Sequence, residues 1–140
     1  KLQEWIKSTR RSVYLPVIRS NGYDGLIAFD FADPSVPVGD RKASTVTPQA
    51  LYLMNSPLVH ESSRALVGQM FEATAEATDA ERAEWLIRQL FGRAAREEEV
   101  ARTVSFVSSY AAAAGEDAQR KAWAAFARAL FASNEFLYIE

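Results

Sequence analysis

Charged and polar side chains gather in one proline-containing stretch of the first half of the sequence. Asp33 directly precedes Pro34 and Asp30 lies three positions before Asp33, while Arg41, Thr45 and Gln49 follow around the start of the first strong helical pattern. Carboxylates in such a loop could bind calcium, which takes roughly six to eight oxygen ligands. The EF-hand spacing is absent, however, and Asp next to a proline turn commonly bonds its own backbone. A structural loop is therefore expected, with calcium binding as the alternative.

Arginines near the same stretch indicate a second kind of site. Together they could bind an anion, because guanidinium pairs bidentately with carboxylate or phosphate; they are Arg10, Arg11, Arg19 and Arg41. The competing interpretation is internal ion pairing with the loop aspartates. The candidate polar site consists of Arg19, Asp30, Asp33, Arg41, Thr45 and Gln49. As an alternative function, the loop at residues 30–47 would contribute to a binding or catalytic site completed by an upstream domain, with polysaccharide as a candidate substrate.

Other residue types that carry chemistry are scarce. The chain has no cysteine, which excludes disulfides, thiol catalysis, Cys-ligated zinc and c-type haem attachment within it. His60 is the only histidine, and Ser62 and Ser63 lie too near it on one helix to complete a triad. We expect a surface or half-buried helical histidine, no catalytic or metal-ligating residue, and no cofactor in this chain.

Charge and hydropathy limit the partners. The formal net charge is −2 and the basic residues form no stripe, so nucleic-acid binding is not expected. No apolar run reaches the roughly 20 residues of a membrane span. Trp5, Trp85 and Trp123 are interpreted as core or interface anchors, and Trp85, beside its helix's apolar stripe, is the one expected to face a neighbouring domain.

The elements that position these residues are irregular in the first third of the chain. Residues 12–19 are β-branched and aromatic, which predicts an extended segment with Val13, Leu15 and Val17 packed on the helices. Residues 23–29 are expected to form one or two helical turns. Two prolines and a glycine make residues 30–44 an ordered surface loop, and a loop of this length is often functional.

Helix start and stop signals follow from residue 47 onward. Thr47 is expected as an N-cap with Pro48 in the first turn of a helix that ends at about residue 55, and Ser56-Pro57 repeats this signal. Residues 78–81 form a capping box, and Gly92 ends that helix. Acidic residues 97–99 start the next helix, which ends at Gly115, and residues 117–132 form the last long helix. A short turn or extended tail follows.

Apolar side chains at helical spacing predict the buried faces. The expected inward residues are, in chain order, Val59, Ser63, Leu66, Val67, Met70, Phe71, Ala83, Leu86, Ile87, Leu90, Phe91, Val100, Val104, Val107, Ala111, Ala114, Trp123, Phe126, Ala127, Leu130 and Phe131. The sequence therefore predicts a mainly all-α fold. We expect one domain over residues 1–140, with an irregular arm and loop at 1–46 and a bundle of about four to five helices at 47–140.

Four segments resemble a known family. They are residues 10–19 (RRSVYLPVIR), residues 29–35 (FDFADPS), residues 41–55 with TVTPQALYLMN at their end, and residues 134–139 (NEFLYI). In order and spacing they resemble the C-terminal part of the planctomycete PSD-one domain family, a family of unknown function. One departure is residues 94–96, where the family tends to place Pro and then Thr or Ser, and this weakens the cap of the following helix.

The resemblance implies context rather than chemistry. Such domains end large exported proteins that usually carry a signal peptide, often a cytochrome-c-like haem segment, and a second domain of unknown function. The chain would then be the C-terminal part of a periplasmic or cell-surface protein, with any haem elsewhere. Its expected partners are upstream domains or another subunit. We expect a non-catalytic interaction or structural module, and no catalytic residue can be transferred from the family.

Overall fold

The computed structural model describes residues 11–14, 16–17, 23–32, 35, 39, 46–113, 115 and 117–138. Their regular elements are all helical, which confirms the all-α expectation. The chain divides into two compact units, Lys1–Tyr52 and Leu53–Glu140.

The described part of the first unit contains a short 3₁₀ turn and a short helix. The turn is Ser12–Tyr14, closed by the Tyr14 N–H donating to the Arg11 carbonyl over 3.0 Å. The predicted extended conformation is therefore wrong at these residues, because the peptide groups bond locally instead of pairing with a strand. Val13 and Val17 are exposed rather than packed on helices, which corrects a second expectation. Leu15 lies outside the described residues.

The expected helical turns after residue 23 are present as α1, Asp24–Ala28. Within the first unit, the Tyr52 ring packs edge-on against Phe29, with 6.1 Å between the ring centroids. A Cβ at Gly25 would lie only 2.7 Å from the Tyr52 hydroxyl oxygen, so this close approach of ring and helix requires glycine.

Helix α2 spans Val46–Asn55 and begins two residues before Pro48, the first helical position that an N-cap at Thr47 predicts. Thr47 therefore lies inside the first turn and is not the N-cap. Pro48 is tolerated there because the first four N–H groups of a helix have no intrahelical partner, so a missing N–H costs nothing. The end of α2 agrees with the prediction.

The second unit contains four longer helices and a short one. They are α3, Pro57–Ala73; α4, Asp79–Phe91; α5, Glu97–Ala113; α6, Ala118–Phe131; and α7, Asn134–Leu137. Ser56 is the N-cap of α3, the capping box at Thr78 starts α4, and Gly92 ends α4 with φ 69°, all as predicted. The tail forms the short helix α7, which matches the short turn of the prediction rather than its extended alternative.

Helix α6 is the centre of the bundle and packs against α3 and α5, while α4 covers α3 and α5 from the side. The core is formed by Val67, Met70, Ala83, Leu86, Val107, Ala122, Trp123, Ala124 and Ala127. Alanines on α6 have no side chain beyond Cβ, so they allow close approach of the neighbouring helices. Burying each larger side chain contributes roughly 1.5–3 kcal/mol. Trp85 is half-buried and packs on this core.

Two hydroxyl side chains of the same unit, Ser63 and Thr103, are completely buried. Ser63 donates to the His60 carbonyl over 2.9 Å and Thr103 donates to the Glu99 carbonyl over 2.6 Å. Each bond returns to the preceding turn of its own helix, which satisfies a polar group that would otherwise be costly to bury. Thr103 occupies the inward face of α5 that the sequence analysis assigned to valines and alanines.

Candidate functional site

Two of the six residues of the predicted polar site, Asp30 and Gln49, lie in the described part of the structure. Arg19, Asp33, Arg41 and Thr45 lie outside the described residues. Asp30 is exposed, has φ 55° and donates its N–H to the Ile27 carbonyl over 3.1 Å. Asp tolerates this left-handed conformation better than most residues, so it suits a turn.

The sixth member, Gln49, is 6% exposed and belongs to α2. A buried amide of this kind is normally hydrogen-bonded. The polar site and its loop alternative stay predictions.

A groove in the second unit gathers charge that the sequence analysis did not single out. Its volume is about 480 Å³. It is lined by Arg64 and Val67 of α3, Tyr110 of α5, Asp117 at the cap of α6, and Arg120, Lys121, Ala124 and Arg128 of α6. We call it the basic groove.

Helical spacing explains how one groove receives these side chains. Arg64 and Val67 are three residues apart on α3, and Arg120, Ala124 and Arg128 are each four apart on α6, so each set lies on one face. Val67 and Ala124 are buried and form the floor. In the sequence, Arg120, Ala124 and Arg128 already have the spacing of one helix face. The predicted face of this helix was the adjacent, inward one, which carries the apolar stripe that begins at Trp123.

Arg128 is held in place by His60. The Arg128 Nη1 lies 3.0 Å from His60 Nδ1, and His60 Nε2 lies 3.1 Å from the Met54 carbonyl oxygen. Guanidinium only donates and a carbonyl only accepts, so Nδ1 must be the acceptor and Nε2 must carry the proton. Met54 lies in the last turn of α2, where carbonyls lack intrahelical partners. The expectation of a half-buried helical histidine is confirmed, and both ring nitrogens are engaged.

The groove carries a net positive charge. Four cations and one carboxylate line it, which gives a formal charge of +3 in a chain whose net charge is −2. Arg120 Nε lies 3.9 Å from Asp117 Oδ1, which is too long for a hydrogen bond, and its guanidinium stands 4.9 Å from the Phe71 ring centroid. Within the described residues, Arg64 forms neither a hydrogen bond nor an ion pair.

A second charged cluster is saturated by its own members. Arg93 bonds Glu99 through Nη1 and Nη2 over 2.8 and 2.7 Å, and bonds Glu135 through Nε and Nη2 over 2.6 and 2.9 Å. These bonds lower the pKa of Glu99 to about 2, lower that of Glu135, and raise the pKa of Arg93. Glu99 also accepts from the Arg96 N–H over 2.8 Å, so a carboxylate caps α5 where the sequence predicted a weakened cap. This cluster is structural.

Two further features bear on possible ligands and partners. No three His, Asp or Glu side chains converge on a metal position in the part of the chain that the structure describes. No helix formed by the described residues is long and apolar enough to cross a membrane.

Comparison with known proteins gives a family. Residues 2–107 match the family model PSD1, described as a protein of unknown function (DUF1553), and the chain belongs to this family. The match includes the first three resembling segments, while residues 134–139 lie beyond its end. Tyr110 and α6, which line one side of the basic groove, also lie beyond the end of the match. No curated protein and no solved structure matches the chain.

Proposed function

We propose that this member of the PSD1 family is a non-catalytic helical interaction module of an exported, multidomain protein. Its first unit would dock on upstream domains of the same protein or on another protein subunit. The second unit holds the packed core. The proposal assigns no cofactor to this chain and leaves any haem to another part of the protein.

Exposed apolar side chains in the first unit carry this proposal. Val13 is 79% exposed, Tyr14 70% and Ile27 58%. The other exposed large apolar side chains of the first unit are Val17, Phe29, Phe31 and Leu51. Over the described residues up to Tyr52, no large hydrophobic side chain is buried. Apolar surface exposed in this quantity is typical of interaction sites, because its removal from water contributes about 25 cal/mol per Å².

The chemistry of these side chains suits a protein partner. Aromatic residues are enriched in the centre of protein interfaces, and here two exposed phenylalanines, Phe29 and Phe31, directly flank Asp30. A mixture of aliphatic and aromatic groups with few charges matches another protein surface better than a soluble substrate.

The single histidine supports a non-catalytic role. His60 uses Nδ1 to accept from Arg128 and Nε2 to donate to Met54, so neither nitrogen is available to take a proton from a substrate. A general base must reach the proton it abstracts, and this ring is committed to two internal bonds.

Hydrogen exchange tests the proposal. The natural full-length protein and the 140-residue chain are compared, with peptides from residues 11–31 expected to exchange at least tenfold more slowly in the full-length protein. Peptides from α5 are the internal control and should exchange equally in both. Equal exchange of residues 11–31 in the two samples would overturn docking of the first unit.

A matched pair of variants tests the surface itself. Ile27→Ser in the full-length protein should restore fast exchange to residues 11–31, while Leu58→Ser, which changes a similarly exposed leucine (64%) of the second unit, should leave it slow.

Cell fractionation tests export: the protein is expected in the periplasmic or surface fraction, and recovery in the cytoplasm would contradict that part.

A further inference from the structure

We infer that the basic groove binds a phosphate- or sulfate-type oxyanion attached to a small organic group. Arg64 and Arg128 would bind the oxyanion, Arg120 would add positive charge to the same groove, and Tyr110 would contact the organic group. This site is separate from the docking surface of the first unit, and neither depends on the other.

The arginines of the groove are set apart by their partners. Four other arginines of the second unit bond carboxylates over 2.6–3.2 Å, whereas Arg96 forms no such ion pair with any described residue; the four are Arg82, Arg88, Arg93 and Arg102. Arg64 has no such partner, and Arg120 has only the long 3.9 Å contact to Asp117. Like charges around one groove raise the free energy of the empty protein, and an anion bound among them relieves this repulsion.

Arg128 is fixed without being neutralised. Its Nη1 donates to the neutral acceptor His60 Nδ1, so the side chain is oriented while its positive charge is retained. Only one of the roughly five guanidinium N–H donors is used in this way. A preoriented cation loses less side-chain freedom on binding, which favours affinity.

Arg120 is fixed in a similar way by an aromatic ring. Its guanidinium stands 4.9 Å from the Phe71 ring centroid, and this cation–π contact consumes no N–H donor. Guanidinium groups match phosphate and sulfate oxygens geometrically, whereas an ammonium acts as a point charge. His60 and Phe71 lie eleven positions apart on α3, so Arg128 and Arg120 are held at two separate points of the groove, and the oxyanion is assigned to Arg128 together with Arg64.

The remaining surface of the groove accommodates more than an ion. Its volume of about 480 Å³ lies within the range of roughly 300–1,000 Å³ typical of small-molecule sites. Val67 and Ala124 provide an apolar floor, and the half-exposed Tyr110 ring stands at its side with its centroid 5.8 Å from that of Phe106. A ligand with an aromatic or apolar body beside its oxyanion fits this lining.

Titration of the 140-residue chain with defined probes tests the inference. Inorganic phosphate, sulfate, acetate and phenyl phosphate are added at constant ionic strength set with chloride, and arginine Nε–H signals are followed by NMR. Saturable shifts at Arg64 and Arg128 are expected with phosphate or sulfate, and the stronger of the two identifies the oxyanion. Absence of saturable shifts with both, or equal binding of acetate, would overturn the site.

Variants separate this site from general electrostatics. Arg64→Gln with Arg128→Gln should weaken phosphate or sulfate binding at least tenfold. Arg102→Gln removes the same charge from an exposed arginine of α5 that is already paired with Glu98, and should change affinity less than twofold. Equal losses in both proteins would overturn the site. Arg64→Gln alone replaces an exposed side chain without partners, so it tests binding in a chain whose packing is unchanged.

The organic group has its own test. Phenyl phosphate should bind more tightly than inorganic phosphate, and Tyr110→Ala should abolish that difference while leaving phosphate affinity within twofold. If phenyl phosphate binds no more tightly than phosphate in the unaltered chain, the site takes the oxyanion alone and the part assigned to Tyr110 is wrong.

Discussion

Arg93 Nε and Glu135 Oε1 lie 2.6 Å apart although 42 positions separate the two residues in the chain. The same guanidinium forms a bidentate bond to Glu99 in the first turn of α5. One side chain after α4 therefore joins the start of α5 to the start of α7. Helix α7 has only four residues and no buried side chain, so we attribute its placement to this bond together with the edge-on packing of Phe136 on Phe131, whose ring centroids lie 4.9 Å apart.

Replacing Arg93 should loosen this junction. Arg93→Gln removes the guanidinium that donates to both Glu99 and Glu135. The bond to Glu99 alone is expected to contribute on the order of 1 kcal/mol to the free energy of unfolding, because the pair is partly exposed and water screens it. Arg88→Gln is the matched control, because its bond to Glu84 is an exposed i,i+4 pair expected to contribute about 0.3–0.5 kcal/mol. Urea denaturation of the two variants gives the comparison. An Arg93→Gln loss no greater than that of the control would contradict the structural role of the cluster.

Acid should weaken the same junction. Folding lowers the pKa of Glu99 from its ordinary value of 4.5 to about 2, and that of Glu135 is lowered too, because Arg93 donates to both carboxylates. The unfolded chain therefore binds more protons, so stability is lost as the pH falls from about 4.5 to about 2. Urea midpoints measured at several pH values should decline over this interval. In Arg93→Gln the decline should be shallower, and an unchanged slope would rule out the cluster as its source.

Local signals predicted most of the helical bundle. The capping box at Thr78, the stop at Gly92 and the acidic start at residues 97–99 each depend on neighbouring residues alone, and all three are present. The prediction was wrong at Thr47, because a proline fits any position of a first turn and cannot fix the helix start. It was also wrong at residues 12–14, where β-branched composition was outweighed by a local backbone bond.

The groove was missed for a different physical reason. Arg64 and Arg128 are far apart in sequence, and only the packing of α3 against α6 brings their helix faces to one groove. Periodicity identifies the apolar face of each helix but not which polar faces will meet. The bond between Arg128 and His60 is likewise tertiary, so no spacing rule could have revealed it.

The capping box supplies a prediction about α4. Thr78 accepts from the Glu81 N–H over 3.3 Å, and Glu81 accepts from the Thr78 N–H over 2.7 Å. Thr78→Ala should therefore cost about 1 kcal/mol of unfolding free energy. Ser56→Ala is the control, because Ser56 caps α3 without a side-chain bond to the helix and should cost less than half as much. Equal costs in thermal or urea unfolding would show that the box contributes nothing beyond its backbone conformation.

The tautomer of His60 can be observed directly. With Arg128 donating to Nδ1, the proton of the neutral ring must reside on Nε2. Because His60 is the only histidine, a two-bond ¹⁵N–¹H spectrum at pH 8 should show a single ring with Nε2 as the protonated nitrogen. In Arg128→Gln the preference should decrease, because the amide oxygen can also accept a hydrogen bond from an Nδ1–H group. Protonation at Nδ1 in the unaltered chain would refute the arrangement that orients Arg128.

Two glycines of the second unit should respond in opposite directions to the same substitution. Gly92 ends α4 with φ 69°, a conformation in which Cβ collides with the following carbonyl, so Gly92→Ala should cost about 1 kcal/mol. Gly68 lies within α3, and a Cβ there would meet no atom within 4 Å, so Gly68→Ala should add about 0.5–1 kcal/mol by reducing the freedom of the unfolded chain. Urea denaturation measures both. Stabilisation by Gly92→Ala would mean that α4 does not end in the left-handed conformation, and destabilisation by Gly68→Ala would mean that the α3 surface at this position is covered.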